Sequence, residues 1–133
     1  MNPTSSNGYL LLFRGTNWHR ELSTEEVGKI MSEWNQWFDR LSSEGKIIAA
    51  SPLENEGKIV SGKAGSVADG PFAESKEAIG GFFLLNVPGM DEALEIAKQC
   101  PALPQGLTVE VRPVAPICPA GKMAGEAKVH SLA

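Results

Sequence analysis

A single α+β domain built on an antiparallel sheet is what the sequence predicts, and three observations predict it. Two apolar runs, Tyr9-Leu10-Leu11-Leu12-Phe13 and Gly80-Gly81-Phe82-Phe83-Leu84-Leu85-Asn86-Val87, have the length and boundaries of strands but do not alternate. Each is followed by a segment of helical periodicity and then by a further strand pattern, so the core order reads β-α-β, hairpin, β-α-β. The chain of 133 residues is long enough for one core and too short for two.

The first strand ends at Arg14-Gly15. Ser23-Thr24-Glu25-Glu26 then offers a capping box, in which the Ser23 hydroxyl accepts from the Glu26 N–H and the Glu26 carboxylate reaches back to the Ser23 N–H. Val27, Ile30, Met31, Trp34, Phe38 and Leu41 follow at helical spacing with Trp37 beside the stripe, and Gly45 closes the helix as a left-handed cap. Ile47-Ile48-Ala49-Ala50 reads as a short second strand broken by Ser51-Pro52. Lys58 to Ser61 and Ser66 to Ala68 read as a hairpin around Gly62 to Gly65.

Asp91 and Glu92 place negative charge at the start of a second helix. Its apolar face is Ala93, Leu94, Ile96, Ala97 and Cys100, and Pro101 ends it. Leu107, Val109 and Val111 alternate with Thr108, Glu110 and Arg112 before Pro113, the period of a strand with one wet face, at an edge of the sheet. The expected boundaries are a flexible N-terminus at residues 1–8, the domain at 9–114, and a C-terminal tail at 115–133 that is mobile or draped on a partner.

Two β-α-β units joined in this way give the ferredoxin-like split arrangement, with both helices on one face of the sheet. The unalternating strands require cover on the other face as well. Leaving Leu10, Leu12, Phe83 and Leu85, or their alternates, in water would forfeit roughly 1.5–3 kcal/mol per side chain. The economical cover is the sheet of a second subunit, giving a homodimeric α+β barrel with a two-fold contact. The competing cover is the chain's own tail.

Composition narrows the functional classes. Charged residues make up 21% of the chain and the net charge is -4, so no basic field exists to gather phosphates and direct nucleic-acid binding is not expected. No apolar run approaches the ~18 residues that span a bilayer, and the polar start from Met1 to Gly8 lacks a signal core. A cytoplasmic protein away from membranes is expected. Cys100 and Cys118 are then free thiols, and neither has metal-ligand spacing to a Cys or His. No metal or cofactor is expected.

The loop Asp69-Gly70-Pro71-Phe72-Ala73-Glu74-Ser75-Lys76-Glu77 concentrates three acids and one lysine between a weak strand and the strong strand at Gly80. Asp-Gly-Pro is ordinary turn chemistry, and a rigid sheet beneath such a loop can also converge its polar groups on a cleft. Antiparallel topology brings Arg14 to the same end of the sheet as this loop and sends Arg112 toward the other. Arg14 is therefore the expected companion of Asp69, and a salt bridge or subunit contact the expected role of Arg112. Trp18 follows Arg14 closely enough to flank the same cleft, while Trp34 fits the core stripe. For His19 and His130 solvent exposure is the expectation.

The stretch Asp69 to Glu77, then Gly80-Gly81-Phe82-Phe83-Leu84, Asp91-Glu92-Ala93-Leu94, Pro101 and Val109-Glu110-Val111-Arg112-Pro113 resembles the YCII-related family in its DGPF-motif branch. The likeness covers about residues 9–114 and is looser upstream of the loop. It implies a ferredoxin-like dimeric barrel and a functional link to an extracytoplasmic-function sigma factor. A few relatives are similar to dehydrochlorinases of chlorinated aromatic diols. Some relatives carry a histidine in the first helix paired with an aspartate, and spacing back from Glu44-Gly45 puts Trp34 in that place.

Two uses of the site stay open on this reading. One is a small-molecule binding or sensing dimer, with Arg14, Trp18, Phe72 and Lys76 as ligand contacts. The other is an acid-base enzyme, dehydrochlorinase-like or isomerase-like, acting on a small cyclic or carbonyl compound with Asp69 or Glu77 as the proton acceptor. A protein-interaction module without a small ligand ranks third.

Overall fold

The computed structural model describes residues 7–71 and 77–123. Its elements are β1 (Tyr9–Arg14), α1 (Thr24–Ser43), β2 (Ile47–Pro52), β3 (Lys58–Ser61), β4 (Ser66–Asp69), β5 (Ile79–Leu85), α2 (Met90–Ala97), β6 (Thr108–Pro113) and α3 (Pro119–Met123). Four strands form one sheet in the order β2-β5-β1-β6 with every neighbouring pair antiparallel. That order is the ferredoxin-like split β-α-β arrangement, with β1 and β5 in the middle and β2 and β6 at the edges. The β3–β4 hairpin is a separate two-stranded ribbon whose residues, including Val60 and Val67, are exposed from Lys58 to Asp69.

Alternate residues of the central strands sort onto two faces. Tyr9, Leu11, Phe13, Phe83 and Leu85 are buried in one cluster with Ile30, Trp37 and Leu41 of α1 and Ala93, Ile96 and Ala97 of α2. Both helices thus lie on the same side. On the outer face, Leu10 pairs with Leu84 and Leu12 with Phe82. Leu84 is buried there, and the other three are half-buried.

α1 starts as its sequence dictates. The Glu26 N–H donates to Ser23 Oγ at 3.1 Å and the Ser23 N–H donates to Glu26 Oε1 at 2.9 Å. These bonds hold the Glu26 carboxyl below its ordinary range. At the other end Gly45 takes φ +73°, and the Lys46 N–H returns to the Leu41 carbonyl at 2.9 Å. Lys46 then ties α1 to α2, its Nζ lying 3.2 Å from Glu44 and 3.3 Å from Glu92.

Three local expectations need correction. β2 runs through Ser51 and Pro52 instead of breaking before them, because on an edge strand the missing proline N–H breaks no ladder bond, and the Leu53 N–H still reaches the Gly80 carbonyl at 2.9 Å. Trp37, read as beside the α1 stripe, is its most deeply set ring at 2% exposure. Leu94 lies outside the buried face of α2, which is made by Ala93, Ile96 and Ala97. Within the expected tail, Pro119–Met123 form the short helix α3. Among the described residues, no helix is long and apolar enough to cross a membrane.

The two thiols are both free and live in opposite environments. Burial pushes Cys100 up to about 11, whereas the N–H groups of Gly121 and Ala120 lower the exposed Cys118. Iodoacetamide at neutral pH should therefore label Cys118 first and reach Cys100 only on unfolding, as peptide mapping would show. Equal labelling of both in the native protein would contradict this packing.

Candidate functional site

The site begins with a mismatch of side-chain size. Met31, Trp34, Asn35 and Phe38 lie at i, i+3, i+4 and i+7 of α1 and share one face of the helix. Opposite them the sheet offers small residues, Ala50 and Ser51 from β2 and Gly80 and Gly81 from β5. Large rings over small residues leave a gap. The result is a cavity of about 370 Å³ that is bordered by Phe13, Phe83, Pro52, Asn55 and Leu107 as well, and by Gly15, Thr16, Trp18 and His19 of the loop after β1. That volume falls in the lower part of the range for small-molecule sites, about 300–1,000 Å³.

The walls are held from behind. Phe13 meets Trp34 at 4.9 Å and Phe83 at 4.9 Å, both edge-on, and Phe38 meets Phe83 at 5.6 Å. Trp37 supports three of these rings from the core, lying 6.1 Å from Phe13, 5.7 Å from Trp34 and 5.0 Å from Phe83. Rings in such mutual contact have few alternative rotamers, so the wall exists before any ligand arrives. The loop is fixed by its backbone: the Gly15 N–H donates to the Ala78 carbonyl at 2.8 Å and the Leu22 N–H to the His19 carbonyl at 3.1 Å.

The polar equipment is sparse. Thr16, Asn35, Ser51 and Asn55 supply hydroxyl and amide groups, and His19 is the one titratable side chain among the described lining residues. Among the described residues, no group of three or more His, Cys, Asp and Glu could hold a metal ion.

Of the residues expected to form the site, Trp18 borders this cavity. Arg14 does not. With Leu10 and Leu12 it belongs to the outer face, where its Nη1 lies 3.3 Å from Glu110 Oε1, while Arg112 Nη1 lies 3.6 Å from Glu110 Oε2. Both arginines thus reach one carboxylate from either side, Arg14 paired with Thr108 at one end of the ladder and Arg112 with Leu10 toward the other, as expected. In register, Glu110 opposes Leu12 and Arg112 opposes Leu10, so strand alternation alone gathers the three. All are at least a third exposed, and the cluster contributes under about 1 kcal/mol per pair.

Asp69 pairs with Lys58 across the β3–β4 ribbon, both side chains about two-thirds or more exposed. It borders a shallow polar groove with Asn55, Glu56, Gly57, Lys58, Gly70 and Pro71. Asn55 also lines the aromatic cavity, so the two spaces meet there. Glu77 is exposed and precedes Ala78, whose carbonyl anchors the cavity loop. Phe72 and Lys76 lie outside the described residues.

Sequence reasoning passed over Asn35 and Asn55 and placed Met31 in the core stripe, whereas His19 is solvent-exposed as expected and also borders the cavity. The available signal was the pairing of an aromatic-rich helix face with a Gly80-Gly81 strand. Trp34, which resemblance places where some relatives carry a histidine, is half-buried on the cavity wall and also packs on the core.

An uncharacterised protein of Rhizobium meliloti (strain 1021) is 48% identical over 50 residues, which are 37% of this chain and 40% of that protein. The chain thus matches about two fifths of that relative's length. The family model of the YCII-related domain matches residues 12–117, from within β1 to just short of α3, and the chain therefore belongs to the YCII-related domain family.

Proposed function

We propose that this protein binds a small, flat, ring-shaped molecule in the cavity between α1 and the sheet, and that it does so as a cytoplasmic homodimer. The carrying observation is the aromatic cavity itself, a preformed space of about 370 Å³ walled by Phe13, Trp18, Trp34, Phe38 and Phe83. Flat apolar ligands gain contact with such rings over both faces, and a few hydrogen-bonding side chains orient them. The dimer reading rests on the half-buried Leu10, Leu12 and Phe82 of the outer sheet face and on the nearby exposed Ile48 and Ile79. A compact monomer in sedimentation at micromolar concentration would remove the dimer without touching the cavity.

Asn35→Trp tests the cavity directly. Asn35 is exposed on α1 and also borders the cavity, so an indole there fills the space without disturbing the core. Benzamide, a neutral ring, should quench tryptophan fluorescence of the wild type saturably. Asn35→Trp should weaken that binding by about tenfold or more, while Asp69→Asn should change it by less than about twofold. The opposite pattern would move the site to the Asp69 groove.

A further inference from the structure

We infer that the cavity takes its ligand apolar end first, and that the side-chain amides of Asn35 and Asn55 at its rim select a ring whose polar group both donates and accepts hydrogen bonds, such as a primary carboxamide or a lactam. This deepens the cavity reading and rests on it. Polarity follows depth along the lining. Phe13, Gly81, Phe83 and Leu107 are buried and present no side-chain donor or acceptor. Asn35, Ser51 and Asn55 are exposed, so they stand where the space meets water. A ligand that turned its polar group inward would lose its hydrogen bonds to water and find only rings, an aliphatic side chain and a glycine in exchange.

Two rim amides are free for this task. Ser51 Oγ already donates to the Pro52 carbonyl at 2.8 Å, Thr16 is engaged within the protein, and His19 lies edge-on to Trp18 with ring centroids 5.3 Å apart. Among the described residues, no hydrogen bond ties up the side-chain amide of Asn35 or of Asn55. Asn35 comes from α1 and Asn55 from the turn between β2 and β3, so the helix side and the sheet side of the rim are both equipped. Each amide offers one carbonyl that accepts and one NH₂ that donates. A ligand group that only accepts leaves both carbonyls unused, whereas an N–H beside a C=O engages donor and acceptor alike. Selection of this kind acts through hydrogen-bond type and sets no requirement on the ligand's charge.

Benzamide and acetophenone test this, because both are neutral and they differ only by NH₂ in place of CH₃. On apolar contact alone acetophenone would bind the tighter, since a methyl group leaves water more readily than an NH₂. The wild type should reverse that order and prefer benzamide by about fivefold. Asn35→Leu and Asn55→Leu, both at exposed positions, should each lower the benzamide-to-acetophenone affinity ratio by about threefold or more. In the NMR spectrum of the wild-type complex, the para proton of benzamide should show contacts to the Leu107 methyl groups. Saturable binding with acetophenone equal to or tighter than benzamide, or a ratio unmoved in either variant, overturns this inference alone. Contacts from the para proton to the Asn35 and Asn55 amides in place of Leu107 overturn the direction of entry and this inference with it. Failure of both probes to bind the wild type overturns the cavity reading as well.

Discussion

Trp37→Ala should be the most damaging single truncation of the α1 face, lowering stability by about 3–5 kcal/mol in urea denaturation. Trp37 is 2% exposed and touches Phe13, Trp34 and Phe83, so its removal opens a void behind the cavity wall. Such a loss is a large part of the 5–15 kcal/mol that holds a typical domain together. The conservative change separates packing from polarity. Trp37 Nε1 is buried without a hydrogen-bond partner, so Trp37→Phe sheds an unsatisfied donor along with some volume and should cost less than about 2 kcal/mol. Equal losses for the two variants would contradict this account of the ring.

Gly8→Ala should cost about 2–4 kcal/mol, although it adds one methyl group near the start of the chain. Gly8 takes φ +91°, and a Cβ built there would sit 2.4 Å from the Leu85 carbonyl oxygen, a backbone atom of a central strand. The same residue accepts the Val114 N–H at 2.9 Å, which fixes where the chain leaves β6. Gly15→Ala is the control. Its φ is +95° but its Cβ would meet nothing within 4 Å, so it should lose only the dihedral preference, about 1 kcal/mol. Thermal denaturation that ranks the two variants in the reverse order would show that the close approach to Leu85 does not constrain the fold.

Gly8 also marks a boundary of what the sequence reveals. The polar run before Tyr9 reads as a free end, and nothing local tells that its last residue is clasped between the β5 backbone and Val114. By contrast, the helix caps, the unalternating central strands and the edge character of β6 are local patterns, and the split β-α-β order follows from them. The pairing of Arg14 with Glu110 was hidden for a different reason. β1 is apolar on both faces, so alternation places Arg14 with Leu10 and Leu12 without saying which face looks toward the helices. Only the packing of Tyr9, Leu11 and Phe13 on α1 and α2 decides that, and it turns Arg14 away from the cavity.

The cavity was hidden for a related reason. Met31, Trp34 and Phe38 look like core residues because they are apolar and correctly spaced, and Trp34 is half core. Whether a gap opens beneath them depends on what the sheet presents across from α1, which here is Ala50, Ser51, Gly80 and Gly81. That is a long-range fact. The Asp69 loop, with its unusual composition, drew the eye to a polar groove that meets the cavity only at Asn55.

The central claim, that ligands enter the aromatic cavity and not the Asp69 groove, is tested most directly by NMR titration of the labelled protein with benzamide. The indole N–H signals of Trp18 and Trp34 should shift progressively and saturably, with the backbone amides of Lys58 and Asp69 unmoved. Shifts confined to Lys58, Asp69 and their neighbours, with both indoles silent, would contradict it.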